Sequence, residues 1–354
     1  MDKKIMLLGG SGALGSYLIP ELLKKGYKVH CVSRGQTTTT VTAGDSNLTF
    51  EKANVKDDEW LKERLKDGWD CIVDFMIYAT TEFAPRAKLL MDSCGQYVFL
   101  SSYRVYADAK GVVTEDSPRL LEVVSEDPAF ADDRDYLLTD DYALAKARQE
   151  DIIHATGCKN FTILRPAPTF STLKYQLVSM EANSFINRAL EGKTTVLPGP
   201  TMEKQATMNW SGDVAKMIAA LIFNPKAFGE TYTVATAEHH TWGEIADYYK
   251  EIIGMNYVTT DIDSFLDIFD GHTEWGRRRL MYDRMYDRVI DNSKILRDTG
   301  LTQDDFMSLY DSLKLELSKI PEDPSWCHYS VATIIYDDVN RRMDEFVATG
   351  KYTI

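Results

Sequence analysis

Long apolar runs are missing from the 354-residue chain, and the apolar stretch Ile5 to Leu8 near its start is followed at once by two glycines. A helix that crosses a membrane needs about 20 predominantly apolar residues, and a signal peptide needs a longer apolar region followed by a small-residue cleavage site. We therefore expect a cytoplasmic protein with no membrane partner, whose first strand begins near residue 5.

Cysteine pairs are missing as well. The five cysteines are dispersed and none forms a C-x-x-C motif; they are Cys31, Cys71, Cys94, Cys158 and Cys327. An odd, scattered set predicts buried thiols in a reducing compartment rather than a disulfide framework or a zinc site. His239-His240 lacks a partner at metal-ligand spacing and Asp261-Ile-Asp263 lacks the rest of a calcium loop, so we predict no metal.

Basic residues are outnumbered, with 40 Lys and Arg against 54 Asp and Glu and a formal net charge of -14. Such a surplus of carboxylates repels a phosphate backbone, so no nucleic-acid partner is predicted. Hydrophobic residues make up 44% of the chain. At this length they predict one large or two modest globular domains with a sizeable core.

Short apolar runs alternate with segments of helical period over the first half of the chain. The predicted strands are Ile5 to Leu8, Lys28 to Ser33, Thr49 to Ala53, Cys71 to Ile77, Tyr97 to Ser101 and Phe161 to Arg165. The predicted helices are Gly15 to Lys25, Glu59 to Lys66, Phe83 to Cys94 and Asp141 to Ala155. This alternation predicts an α/β fold with a doubly wound parallel sheet, because parallel neighbours need a crossover and a helix supplies it. The acidic stretch between Ala107 and Asp141 is interpreted as a solvated surface excursion.

A glycine-rich turn joins the first strand to the first helix. Glycines let such a turn approach a pyrophosphate closely, and the helix N-terminus offers free amides. The turn predicts a dinucleotide site of the Rossmann type, held by Gly9, Ser11, Gly12, Ala13, Leu14 and Gly15. We expect this NAD(P)-binding domain over residues 1–170, with returning segments at about 207–236. A smaller, mainly helical substrate-binding lobe is expected from residues 171–206 and 237–354, including a capping-box helix from Thr241 to Ile253.

The end of the second predicted strand reports on the ribose of the cofactor. It reads Ser33-Arg34-Gly35, with no carboxylate to accept the 2′-hydroxyl of NAD. Arg34 favours the 2′-phosphate of NADP, although a solvent-facing Arg34 with NAD bound remains an alternative. Asn54 is placed to meet the adenine ring, or is an ordinary turn asparagine.

A serine, a tyrosine and a lysine form the candidate catalytic group. Tyr142 and Lys146 are four residues apart on a predicted helix, so they share one face. A nearby ammonium favours the phenolate, which makes Tyr142 a candidate acid/base, while Lys146 can also bind the nicotinamide ribose. Ser101 and Ser102 end a strand where open parallel sheets place their ligands, and a hydroxyl there can hold a reacting oxygen.

With these elements in order, the chain resembles an extended short-chain dehydrogenase/reductase of the NAD-dependent epimerase/dehydratase type over about residues 5 to 250. The matching residues are Gly9, Gly12 and Gly15, Leu100 to Tyr106, Tyr142 and Lys146, Leu164 to Pro166, and Gly212 to Ala215. The resemblance implies hydride transfer between a sugar carbon and nicotinamide, with Tyr142 as acid/base, Lys146 on the ribose and Ser102, rather than Ser101, positioning the hydroxyl. It also implies a sugar or sugar-nucleotide substrate and leaves open a homodimer through the helix that carries Tyr142.

Some positions depart from the family pattern. The 4,6-dehydratases have Asp-Glu after the hydroxyl residue, whereas Tyr103-Arg104 stands here, so a dehydratase is disfavoured. Ala206 replaces an Arg that helps bind the diphosphate in nucleotide-sugar epimerases. Ser102, Tyr103, Arg277 and Arg284 are candidate substrate residues. An equal alternative for the arginines is a solvated helix paired with Asp283 and Asp287. An alternative function is a non-catalytic dinucleotide-binding protein with a regulatory or RNA-binding role, as in plastid relatives that share the Ser-Arg-Gly ending.

Overall fold

Seven parallel strands form the central sheet of the protein, in a computed structural model that describes residues 3–35, 44–270, 273–321, 324 and 332–353. The strands are β1 (Lys4–Leu8), β2 (Lys28–Ser33), β3 (Leu48–Lys52), β4 (Trp69–Asp74), β5 (Cys94–Leu100), β6 (Phe161–Pro166) and β7 (Glu230–Val234). Their order is β7-β6-β5-β4-β1-β2-β3, and every pairing is parallel. The chain reverses its direction of travel between β1 and β4, and open sheets of this kind bind ligands at that point. The predicted doubly wound fold is confirmed.

Helices cover both faces of this sheet. They are α1 (Gly15–Lys24), α2 (Asp58–Leu65), α3 (Thr80–Asp92) and α4 (Tyr142–Ala155), followed by α5 (Ala182–Leu190) in the lobe and α6 (Ser211–Leu221) back on the sheet. On one face α1 packs against α6, with Leu18, Leu22 and Ile218 fully buried. On the other face α3 packs against α4, with Phe83 and Leu90 fully buried. Both layers therefore bury the apolar stripes that the sequence predicted.

The segment between Ala107 and Asp141 differs from its predicted role as a solvated excursion. Leu120, Val124, Phe130 and Tyr136 are buried in one cluster with Tyr282. The rings of Phe130 and Tyr282 are 4.5 Å apart between centroids. The acidic side chains hide this because single apolar residues spaced between carboxylates give no helical or strand period. The segment thus anchors a C-terminal arginine-rich region to the sheet.

The remaining elements form a second core. They are α7 (Trp242–Ile253), α8 (Ile262–Asp270), α9 (Glu274–Arg279), α11 (Leu309–Leu317) and α12 (Ala332–Thr349), with Thr194–Pro198 paired in parallel to Asn256–Thr260. The helix α10 (Ser293–Thr299) instead packs against α6 and β7 of the sheet domain, with Ile295 buried there. Phe185, Trp242, Tyr249 and Phe265 are buried together in this core. The predicted capping box is present, because the Thr241 hydroxyl accepts from the amide of Glu244 at 3.1 Å. The exact division into two domains stays a prediction.

Four of the cysteines lie in the described part of the chain, and all four are free thiols. Cys31 and Cys71 are buried, whereas Cys94 and Cys158 are half-buried. Cys327 and its neighbour His328 lie outside the described residues. Every helix in the described ranges is too short or too polar to span a bilayer.

Candidate active site

A cleft of about 800 Å³ opens at the carboxyl ends of β1, β4, β5 and β6. One group of lining residues, here called the glycine wall, consists of Gly9, Gly12, Ala13, Leu14, Gly15, Leu100, Ser101, Ser102, Tyr142 and Lys146. A second group, here called the arginine wall, consists of Arg104, Lys174, Gln176, Glu181, Trp275, Arg279 and Arg284. Strand ends, a helix N-terminus and a set of cations thus line one cavity.

The turn of the glycine wall is shaped for a closely approaching ligand. Gly9 has a φ of +76°, a conformation that favours glycine, and a Cβ on Gly15 would lie 2.0 Å from the carbonyl oxygen of Gly10. A Cβ on Gly12, by contrast, would meet no atom within 4 Å. The loop is therefore folded tightly onto α1 while its middle stays open to the cleft, and these features fit the pyrophosphate of a dinucleotide beside the helix N-terminus.

The other predicted cofactor residues lie outside this cavity lining. Ser11 is buried, the Ser33 hydroxyl accepts from the amide of Gly35 at 3.2 Å, and the Asn54 side chain accepts from the amide of Lys56 at 3.2 Å. Arg34 is exposed beyond the end of β2. Lys52, which pairs with Ser33 in register, lies with its side chain against Gly35. Two cations therefore stand where the sequence predicted one.

Ser102 and Tyr142 meet at the centre of the cleft. Ser102 caps a short helical turn, Tyr103–Val105, and its Oγ accepts from the amide of Arg104 at 3.2 Å. Burial raises the pKa of Tyr142, while Arg104, a hydrogen bond with Ser102, and Arg279 act to lower it. The Arg104 guanidinium carbon lies 5.4 Å from the centre of the Tyr142 ring. The cleft thus holds a neutral phenol whose ionised form two arginines stabilise.

Ser101 has a different role from its neighbour. Its hydroxyl donates to Glu150 Oε1 at 2.5 Å, and Glu150 also binds Arg165 Nη2 at 2.8 Å. All three side chains are buried. Because Ser101 is engaged in this network, Ser102 is the serine whose hydroxyl can reach a ligand.

Lys146 lies deeper than the sequence suggested. It is 2% exposed, and its Nζ donates to the carbonyl oxygens of Leu100 at 2.7 Å and Met76 at 3.3 Å. Burial lowers the pKa of Lys146 to about 8, opposed by Asp74 and Glu150. Among the cations that lower the pKa of Tyr142, Arg104 has the largest effect and Arg279 the next largest. The four-residue spacing places both side chains on one face, but it does not report the carbonyl oxygens that hold the ammonium at the sheet.

The candidate substrate residues separate into two groups. Tyr103 and Arg284 both line the cleft, and the Arg284 guanidinium donates to the Tyr103 hydroxyl. Arg277 does not line it, because its Nη1 binds Asp133 Oδ2 at 3.2 Å on the other side of α9. Asp283 pairs with Arg284, but both side chains are buried, whereas the sequence alternative was a solvated helix. Asp287 pairs with Lys204 at 3.5 Å.

Four charged residues of the arginine wall were not predicted as site residues from the sequence: Arg104, Lys174, Glu181 and Arg279. Arg104 was visible as a departure from the family pattern, and this departure was the one available signal. Within the run Arg277 to Arg279, nothing local selects the residue that faces the cleft, since the choice depends on Asp133, which lies 144 residues from Arg277 along the chain.

Comparison with known proteins identifies a family for the larger part of the chain. The model of the NAD dependent epimerase/dehydratase family matches residues 5–235. This range covers the glycine turn, the serine, the tyrosine and the lysine.

Two curated proteins are similar in sequence. The sterol-4-alpha-carboxylate 3-dehydrogenase, decarboxylating, of Dictyostelium discoideum is 29% identical over 136 residues, which cover 33% of this chain and 41% of that protein. The chloroplast stem-loop binding protein of 41 kDa b of Arabidopsis thaliana is 23% identical over 256 residues, which cover 69% of this chain and 62% of that protein. The chain thus spans less than two thirds of the length of either relative.

Solved structures of similar fold are numerous. The enzyme WbmH of Bordetella bronchiseptica, in complex with NAD+, superposes with a TM-score of 0.66 at 16% identity, covering 90% of this chain and 98% of that one. The UDP-glucose 4-epimerase of Thermotoga maritima, with UDP-glucose, gives 0.64 at 17% identity, covering 89% and 97%. At such identities the likeness establishes the fold.

Proposed function

We propose that this chain, which belongs to the NAD-dependent epimerase/dehydratase family, is an enzyme. The proposed reaction moves a hydride reversibly between a sugar carbon that bears a hydroxyl group and a nicotinamide cofactor. The observation that carries the proposal is the cleft itself, which brings Ser102, Tyr142 and Lys146 to the same cavity as the glycine turn. A sugar or nucleotide sugar is the proposed substrate, as in the epimerase whose structure holds UDP-glucose.

Each of the three polar residues of the cleft has a separate proposed role. The nicotinamide, when bound, supplies the hydride acceptor and donor. Tyr142 removes the proton of the reacting hydroxyl and returns it in the reverse direction, and the Ser102 hydroxyl holds the same oxygen. Lys146 is proposed to reach the nicotinamide ribose with the N–H that its two carbonyl partners leave free.

The phenol needs help to act as a base near neutral pH. Its pKa is raised by burial, so its ionised form depends on nearby positive charge. Arg104 and Arg279 supply that charge from the protein, and an oxidised nicotinamide would add to it. The proposal therefore places the electrostatic role that the sequence gave to Lys146 on these two arginines.

For the cofactor, we propose a preference for NADP over NAD, although the solved neighbours described above include a complex with NAD+. Arg34 and Lys52 both stand at the ends of β2 and β3, beside Gly35. A 2′-phosphate would gain charge-assisted hydrogen bonds from them. Replacing Arg34 by Ala should weaken NADP binding about tenfold and NAD binding little; equal losses for both cofactors would remove the proposed preference.

A second candidate function is non-catalytic dinucleotide binding with an RNA-binding or regulatory role. The similarity to the chloroplast stem-loop binding protein, over 69% of this chain, favours it. The net charge of -14 opposes it, because RNA affinity depends on cationic surface. We also keep as proposals the domain boundary near residue 170 and a homodimer through α4.

The substitution Tyr142→Phe tests the enzymatic proposal. Turnover of UDP-glucose and related sugar nucleotides should fall about 100- to 10,000-fold, with cofactor affinity nearly unchanged, because only the proton-transferring oxygen is removed. Tyr257→Phe is the matched control, since its hydroxyl binds Asp247 at 2.9 Å in the lobe, away from the cleft. Unaltered turnover in Tyr142→Phe would remove its catalytic role, and binding of an RNA hairpin by a protein inactive on every sugar nucleotide would support the second candidate.

A further inference from the structure

Two arginines of the cleft have guanidinium groups that donate no hydrogen bond to any residue in the described ranges. They are Arg104 and Arg279, whose side chains are 11% and 9% exposed. Arg104 Nε lies 3.3 Å from Asp283 Oδ2, and Arg279 Nη2 lies 3.6 Å from Glu181 Oε1, so both contacts are ion pairs without hydrogen-bond geometry. Each guanidinium carries five N–H donors, and Arg104 Nε is buried without a hydrogen-bond partner, which is costly.

Neighbouring buried arginines contrast with this pair. Arg288 donates to the carbonyl oxygens of Ala107 at 2.8 Å and Tyr106 at 2.9 Å. Arg278 donates to both carboxylate oxygens of Asp133, at 2.6 and 3.2 Å. Arg284, which also lines the cleft, donates to the carbonyl oxygen of Val178 at 2.8 Å. Arg104 and Arg279 therefore differ from these three arginines in having no acceptor among the described residues.

The charge around the pair is positive as well. Asp283 is shared among Arg104, Arg284 and Arg288, so one carboxylate faces three guanidinium groups. Burial, with Arg284 second, lowers the pKa of Arg279 to about 10, which leaves it protonated at neutral pH. Lys174 adds a further cation to the same wall. Asp283 and Glu181 do not balance these charges.

The pair also lies at the reacting end of the cleft. Arg104 is two residues from Ser102 and stacks over the Tyr142 ring, and Arg279 acts on the same phenol. A neutral sugar would leave the donors of both guanidinium groups without anionic acceptors.

We propose that Arg104 and Arg279 form a binding site for an anionic oxygen group, a carboxylate or a phosphate, that the substrate carries close to its reacting hydroxyl. Both groups offer the paired oxygen atoms that a guanidinium binds through two parallel hydrogen bonds. That the anion belongs to a substrate rests on the proposed enzymatic function, but anion binding at this site can be measured without turnover.

The test titrates inorganic phosphate and malonate, with neutral glucose as the negative probe, into the protein with and without NADP by calorimetry. Wild type should bind at least one anion but not glucose. Arg104→Gln and Arg279→Gln should each weaken that binding at least about tenfold, which is 1.4 kcal/mol. Arg297→Gln is the matched control, because Arg297 pairs with Asp298 on the exposed surface.

The outcomes separate the two proposals. Preference for phosphate or for malonate identifies the source of the anion, and anion binding without any cofactor binding would contradict the enzymatic proposal alone. Wild type that binds neither anion, or Gln variants that bind as wild type does, would overturn the anion site. Arg104→Lys and Arg279→Lys guard against misfolding: they keep the charge but lose the paired donors, so they should bind more weakly than wild type and more tightly than the Gln variants.

Discussion

The two walls of the cleft differ in how far the protein itself supplies hydrogen-bond partners to their charged side chains. In the glycine wall, Lys146 gives two of its N–H groups to carbonyl oxygens, and beneath it Glu150 receives donors from Ser101 and Arg165. In the arginine wall, Arg104 and Arg279 give hydrogen bonds to none of the described residues. The polar groups of the first wall therefore find their hydrogen-bond partners within the protein, whereas in the second wall Arg104 and Arg279 are proposed to find theirs in a bound anion.

The same contrast explains what the sequence could predict. The glycine turn, β1 and α1 are contiguous, so their spacing alone places Gly12 at a cleft. The central strands were likewise predicted to within a few residues, because each has its own apolar run and turn signal. Ser102 needed the family resemblance in addition, since two adjacent serines end the strand.

The arginine wall could not be predicted in this way. Its members come from the turn after β5, from the segment before α5, from α9 and from the turn after α9, and these meet only through tertiary packing. No sequence pattern distinguishes Arg277, Arg278 and Arg279 from one another. Asp133, in the stretch interpreted as solvated, selects the first two and leaves Arg279 facing the cavity. A long-range ion pair thus decides which arginine faces the cleft.

We expect the largest effect on stability from a substitution in the turn of the glycine wall. Gly15→Ala would place a Cβ 2.0 Å from the Gly10 carbonyl oxygen, which is backbone and cannot rotate away. We expect a loss of at least about 3 kcal/mol in unfolding free energy, or a displaced turn with cofactor binding weakened more than about tenfold. Urea unfolding and NADP titration measure the two quantities.

Gly12→Ala is the control for that substitution. Its Cβ would meet no atom within 4 Å, so the unfolding free energy should stay within about 0.5 kcal/mol of wild type. Cofactor affinity should nonetheless fall, because the methyl group enters the cleft. Equal destabilisation by both alanines would show that the turn is not packed as described.

A smaller effect compares adjacent arginines. Arg278→Gln removes the closest partner of buried Asp133, and breaking such a pair costs about 3 kcal/mol. Arg279→Gln removes a buried cation that makes no hydrogen bond to the part of the chain that the structure describes, so its cost should lie within about 1 kcal/mol of zero. Urea unfolding of both variants at one pH measures the difference.

That comparison also has a contradicting result. Equal destabilisation by the two substitutions would mean that Arg279 supports the fold as Arg278 does, and the distinction between the walls would fail. A stabilised Arg279→Gln protein would strengthen it, because it would show that the fold tolerates this cation at a cost.

The smallest expected effect concerns the free-energy cost of burying the Lys146 ammonium in the glycine wall. The pKa of Lys146 is about 8 in the folded protein, below the value near 10.4 of an unfolded lysine. Between these values the unfolded chain holds a proton that the folded protein has released, so the contribution of Lys146 to the unfolding free energy rises with pH. Wild type should gain about 1 kcal/mol relative to Lys146→Met between pH 8 and pH 9, measured by urea unfolding of both proteins. A difference that stays flat over this range would mean that the two carbonyl oxygens fully compensate the buried ammonium, and the contrast between the walls would then be sharper than the lowered pKa implies.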